Sequence, residues 1–147
     1  MRLTLDYPPL WLVFFLALAW GLSQWLPGGF GGYGYWPGMA LIVIGLGLMG
    51  VAAATMIRAR TTVVPHETPS VLVDSGIFSL SRNPIYLGDV LVLLGAILIW
   101  NVATALLLVP ALAAILHHRF ILPEEARLRG AFGAAFDAYA ARVRRWI

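Results

Sequence analysis

Trp36-Pro37-Gly38-Met39-Ala40-Leu41-Ile42-Val43-Ile44-Gly45-Leu46-Gly47-Leu48-Met49-Gly50-Val51-Ala52-Ala53-Ala54-Thr55-Met56-Ile57 carries no charged side chain over 22 residues. As a helix it is about 33 Å long, enough to cross the hydrocarbon core of a bilayer. The pattern recurs on both sides, in apolar runs from Leu10 to Leu26, from Ile85 to Trp100 and from Ala103 to Leu116. The chain of 147 residues is 61% hydrophobic and 12% charged, and its mean hydropathy is +0.84. A soluble core does not need so much apolar surface. The sequence therefore predicts an all-α, polytopic integral membrane protein with about four transmembrane helices, over 10–26, 36–57, 85–100 and 103–116. The length fits one domain over 1–147. Cysteine is absent, which excludes disulfides and thiol-ligated metals or clusters. The first apolar run is as long as a span and lacks a small-residue cleavage pattern, so it is read as a span and not as a cleaved signal.

The charges orient the spans. All ten basic residues are arginine. Arg58, Arg60 and Arg82 fall between the second and third runs. Arg119, Arg127, Arg129, Arg142, Arg144 and Arg145 follow the fourth, and Arg2 opens the chain. The Gly-rich aromatic loop 27–35 and the two-residue spacer Asn101-Val102 carry none. The spacer predicts a tight helical hairpin of the last two spans, each short for a bilayer. The positive-inside rule puts both termini and the 58–84 loop in the cytoplasm of a multi-pass protein of the inner (plasma) membrane. The net charge of +3 is placed where apolar runs end, so it points to membrane topology and away from nucleic acid.

Beyond the last run, Leu128, Phe132, Phe136, Tyr139 and Val143 recur at helical spacing. They make one face of an amphipathic C-terminal helix, about 123–145, lying on the membrane or over a site. Gly130 and Gly133 weaken that helix in isolation, so docking is expected to support it.

Polar residues gathered where a bilayer ends mark a candidate site. Ser81-Arg82-Asn83-Pro84-Ile85-Tyr86-Leu87-Gly88 stands at the entrance to the third run. Proline disfavours helix at Asn83 and holds it extended with its amide free, while Pro84 suits a first helical turn. Unpaired N–H groups of that turn are able to meet an anion. Tyr86 and Asp89 share a face, and Gly88 permits close approach. The plainer reading is a helix start with a packing notch. Asp89, inside the apolar run, either serves a ligand or reaches back to an interfacial network with Arg82.

Glu124 and Glu125 follow Pro123. They suit the start of a helix, with Glu125 and Arg129 as an i,i+4 pair. Alternatively one of them binds hydroxyl or amine groups of a polar ligand. His117, His118 and Arg119 complement a helix C-terminus. Adjacent histidines diverge on a helix, so no metal site is expected. Gly45-Leu46-Gly47 inside the second run reads as close helix packing.

Thr62-Val63-Val64-Pro65, Leu72-Val73-x-x-Gly76-x-Phe78, Arg82-Asn83-Pro84-x-Tyr86-x-Gly88, Glu124-Glu125-x-x-Leu128-x-x-x-Phe132-Gly133, Tyr139 and Arg142-Val143-Arg144-Arg145 occur in this order. The ordered set, over roughly 36–147, resembles the isoprenylcysteine carboxyl methyltransferase family, itself related to the membrane phospholipid N-methyltransferases. The resemblance implies S-adenosylmethionine as cofactor, bound at the cytoplasmic face, and a lipophilic acceptor arriving from the bilayer. By position it implies Leu72, Val73, Asn83, Pro84, Tyr86 and Gly88 in the cofactor pocket, with Glu124 or Glu125 on its polar part. Arg119 matches an arginine that orients the acceptor's carboxylate in the prenylcysteine enzymes. Asn83 stands where the eukaryotic enzymes carry His, and Phe136 where Tyr is common.

The expected activity is methyl transfer to a lipophilic acceptor, isoprenylcysteine-like or another lipid. A carboxylate acceptor needs no general base; an amine does, with Asp89, Glu124 or Glu125 as candidates. The alternatives are a phospholipid (ethanolamine-type) N-methyltransferase, a nicotinamide-dependent reductase-like relative, and a non-catalytic membrane subunit. The partners expected are a lipid acceptor and membrane lipids, with no nucleic acid and no metal.

Overall fold

The computed structural model describes residues 6–147; Arg2, counted in the charge bias, lies outside them. Among the described residues six α-helices follow in order: α1 (Pro8–Trp25), α2 (Tyr35–Arg58), α3 (Pro84–Ile99), α4 (Leu108–Leu116), α5 (Leu122–Phe132) and α6 (Ala134–Arg142). Short 3-10 turns occupy Gly31–Gly34, Gly76–Ser79 and Ala103–Leu107. Among the described residues there is no named strand, only an isolated bridge between Gly28 and Val102. The protein is an all-α membrane protein. Three stretches are long and apolar enough to cross a bilayer: Pro8–Trp25, Gly31–Arg58 and Ala103–Phe132. α3 is a shorter apolar helix of 16 residues.

α3 is the core of the bundle. Nine of its 16 residues are buried, against three of 24 in α2, and α1, α2 and α4 all pack on it. α1 contributes Leu12, Phe15 and Ala19, a stripe at helical spacing. The outward faces of α1 and α2, with Val13, Phe14, Val43 and Leu46 exposed, form the lipid-compatible surface. Between α2 and α3 the backbones touch. The three buried residues of α2, Gly38, Gly45 and Ala52, recur every seven positions, and the first two meet Gly95 and Gly88 of α3. A Cβ placed on Gly45 would stand 2.8 Å from the Gly88 carbonyl oxygen. In lipid, small residues at such a seam supply the packing that hydrophobicity cannot.

The uncharged end, with its Gly-rich aromatic loop, is pinned. Gly28 N donates to the Asn101 carbonyl, the Gly28 carbonyl accepts from Ala103 N at 2.9 Å, and Phe30 N donates to Asn101 Oδ1 at 2.8 Å. Asn101 has φ 52°, which Asn tolerates better than most residues.

At the opposite end the fourth apolar run does not stop at Leu116. The helix continues through a π turn, His117–Ile121, into α5. Pro123 has no N–H to return to the carbonyl four residues back, and the widened turn just before it absorbs the bend. The C-terminal helix expected over 123–145 is two helices, divided at Gly133, whose φ of 51° and ψ of −123° suit glycine. α6 therefore folds back on the bundle. Phe136, Tyr139 and Val143 are buried with Phe78 and Ala52, against Leu72, Val73, Leu128 and Phe132. The apolar face read from the sequence is thus docked on protein.

Candidate functional site

A cavity of about 230 Å3 opens at the charged end of the bundle. Its floor is the start of α3, with Asn83, Pro84, Tyr86 and Asp89. Met49 and Met56 of α2 and Tyr7 to Pro9 at the start of α1 flank it. The loop from Thr61 to Val73 roofs it, and α5 and α6 close it with Glu124, Glu125, Leu128, Phe136 and Tyr139. Leu72, Val73, Asn83, Pro84, Tyr86, Asp89, Glu124 and Glu125, singled out in the sequence, are brought together here.

Two of the residues singled out lie elsewhere. Gly88 faces α2: a Cβ there would stand 2.6 Å from the Gly45 carbonyl oxygen and 2.5 Å from Met49 Cγ. It is the packing notch. Arg119 is half exposed, pairs with Asp6 at 3.4 Å and lies over the Trp11 ring at 5.3 Å.

The two adjacent glutamates have different surroundings. Tyr86 donates its hydroxyl to Glu124 Oε2 at 3.0 Å. Glu125 accepts from Arg82 Nη2 at 3.0 Å and from Arg145 through Nε and Nη2, both at 2.8 Å. The i,i+4 pair of Glu125 with Arg129 does not form; Arg129 donates to Asp137 at 2.8 Å. Arg82 Nη1 also donates to the carbonyls of Ala140 and Val143, at 2.8 and 3.0 Å. These are the carbonyls that the end of α6 leaves unpaired. The bond to Glu125 raises Arg145 above its ordinary value. Nor is the Asn83 amide free, because Nδ2 donates to the Arg145 carbonyl at 2.9 Å. Arg82, Asn83 and Glu125 together clamp the C-terminal segment over the cavity.

Asp89 does not join that network. It is 1% exposed, and neither of its carboxylate oxygens has a hydrogen-bond partner among the described residues. The Thr61 hydroxyl, in the roof, is also buried and unpartnered. Among the described residues no group of three His, Asp or Glu side chains is placed to hold a metal.

The phospholipid methyltransferase family model matches residues 33–135, from the 3-10 turn before α2 into the first residues of α6. The chain belongs to the phospholipid methyltransferase family. The family is one of membrane methyltransferases acting on lipid-type substrates, in keeping with the apolar helices. Comparison with the curated proteins and with the solved structures gives no match. The matched stretch holds the roof, α3 and the glutamates. Tyr7 to Pro9, Phe136 and Tyr139 complete the cavity lining from outside it, and Arg145 reaches Glu125 from there.

Sequence reasoning did not single out Met49, Met56 or Thr61 for the cavity, or the clamp made by Arg82 and Arg145. The methionines sit on α2 seven apart, a spacing visible in the sequence only once the face toward α3 is known. Tyr139 was visible as part of the apolar face, but not its polar end, which donates to the Phe78 carbonyl at 2.8 Å. Burial pushes its phenol above the ordinary range. Tyr139→Phe is expected to lower stability by about 1 kcal/mol, because the buried carbonyl loses its donor. Thermal unfolding in detergent measures this; an unchanged midpoint would show that the bond contributes nothing.

Proposed function

We propose that the protein transfers a methyl group from S-adenosylmethionine to a lipid acceptor at the cytoplasmic face of the plasma (inner) membrane. The observation that carries this reading is the cavity itself. It gathers all but Gly88 of the residues that the family resemblance implies for cofactor binding, in a chain of a methyltransferase family.

The residues present fit such a cofactor. Leu72, Val73, Ile85 and Phe136 offer apolar walls to a flat ring. Glu124 offers a carboxylate, oriented by Tyr86, to hydroxyl or amine groups. Asp89 and Thr61 keep buried polar atoms without partners among the described residues. When bound, S-adenosylmethionine supplies an electrophilic methyl group, so the protein has chiefly to orient the reactants and exclude water. The roof over 61–73 and α6 performs the exclusion. Arg82 and Asn83 hold α6 shut through the carbonyls of Ala140, Val143 and Arg145. Met49, Met56 and the start of α1 line the flank nearest the apolar helices, where a lipid acceptor reaches the cavity from the bilayer. The arginines gathered at this end support a cytoplasmic side for it.

Calorimetry of the purified protein in detergent tests the reading. Saturable S-adenosylmethionine binding is expected. Glu124→Gln is expected to weaken it roughly tenfold, as for loss of a hydrogen bond to a charged group, with the thermal midpoint unchanged. A folded wild-type protein that does not bind the cofactor overturns the proposal.

A further inference from the structure

We infer that Asp89 is the counter-ion for a positively charged ligand group held at the floor of the cavity. This deepens the methyltransferase reading and rests on it for the identity of the ligand. The observation behind it is an imbalance among buried charges. Glu124 has the Tyr86 hydroxyl, and Glu125 has two arginines. Asp89 is the least solvent-exposed acid of the three, and among the described residues its carboxylate accepts no hydrogen bond. Arg82, the partner the sequence offers it, is committed to Glu125 and to two carbonyls of the C-terminal segment.

The position is suited to a ligand. Asp89 follows Tyr86 by three residues on α3, so it lies on the same face, one turn further from the charged end. Gly88 beside it lets α2 approach, which brings Met49 against this part of α3 and makes the surroundings apolar. A carboxylate in such a place is costly without a donor or a cation. Low local dielectric also strengthens its attraction for a cation that arrives there. A buried acid retained under these conditions, in the wall of a cavity, marks a ligand contact.

The chemistry required is a compact cation that tolerates an apolar cavity. Two sources share it: the sulfonium of S-adenosylmethionine and the ammonium of a lipid acceptor. Asp89→Asn keeps the shape and removes the charge. Titration of the full chain in detergent with S-adenosylmethionine, and with S-adenosylhomocysteine, which has a neutral sulfur, separates the sources. If the sulfonium is the group, Asp89→Asn weakens S-adenosylmethionine roughly tenfold and leaves S-adenosylhomocysteine unchanged. If the ammonium is the group, both affinities stay and KM for phosphatidylethanolamine in mixed micelles rises by a similar factor. Equal loss for both nucleosides, or no change in any of the three, overturns the inference. A wild-type protein that binds neither nucleoside overturns the methyltransferase reading instead. The ligand-free thermal midpoint then still decides on Asp89. A midpoint equal to or above wild type in Asp89→Asn agrees with a carboxylate lacking a protein partner, and a clear fall shows that it has one.

Discussion

Gly95→Leu is expected to destabilise the protein by roughly 3 kcal/mol and to abolish ligand binding at the far end of α3. The cause is backbone contact. A Cβ on Gly95 would stand 2.5 Å from the Gly38 carbonyl oxygen and 2.7 Å from Ile42 Cγ1, with Ile42 N at 3.1 Å. Two of these three atoms belong to the backbone of α2, so the clash is relieved only by moving one helix from the other. That motion separates Met49 and Met56 on α2 from Tyr86 and Asp89 on α3, which are opposite walls of the cavity. Gly47 and Gly50, on the partner helix α2, provide the control. Nothing lies within 4 Å of a Cβ at either, and both are exposed. Leucine at these positions is expected to shift stability by about 0.5 kcal/mol or less. Thermal unfolding in detergent compares the three variants. Equal losses at Gly47 and Gly95 would mean that the seam does not hold α2 to α3.

The composition and the charge map already place the apolar helices and gather the candidate residues at one end, because bilayer length and charge placement act on the sequence directly. The docked face of the C-terminal segment is legible for the same reason: Phe136, Tyr139 and Val143 obey a period that local geometry imposes. What the sequence does not reveal depends on how the chain doubles back. Helical spacing offers Arg129 to Glu125, yet the structure pairs it with Arg82 and Arg145, 43 and 20 residues away. Gly88 reads equally well as a ligand notch or a packing notch until the face of α3 that meets α2 is known. Pro123 looks like a helix start, and only the π turn before it lets the helix run on from Ala103 to Phe132. The unpaired state of Asp89 is likewise invisible, since the sequence puts Arg82 within plausible reach.

Glu125→Ala is expected to cost about 3–5 kcal/mol, the range for removing one partner of a buried ion pair. Arg82, whose side chain is 11% exposed, would lose its only carboxylate among the described residues, and Arg145 would lose both of its bonds. The damage does not stop at the charges. Arg82 caps the carbonyls of Ala140 and Val143, and Asn83 holds that of Arg145, so a displaced arginine frees the end of α6. Phe136 and Tyr139 would then leave the cavity wall. Limited proteolysis is expected to cut between Gly133 and Trp146 in Glu125→Ala well before it cuts wild type, and the thermal midpoint to fall with it. Glu124→Gln, one residue away, is expected to do neither and to act on ligand affinity alone, because Glu124 has a neutral partner in Tyr86 and holds no other element in place. If Glu125→Ala instead keeps the wild-type midpoint and loses only cofactor affinity, Glu125 contacts the ligand and the clamp has another origin. Two neighbouring glutamates that helix propensity treats alike would thus be told apart by which measurement each one moves.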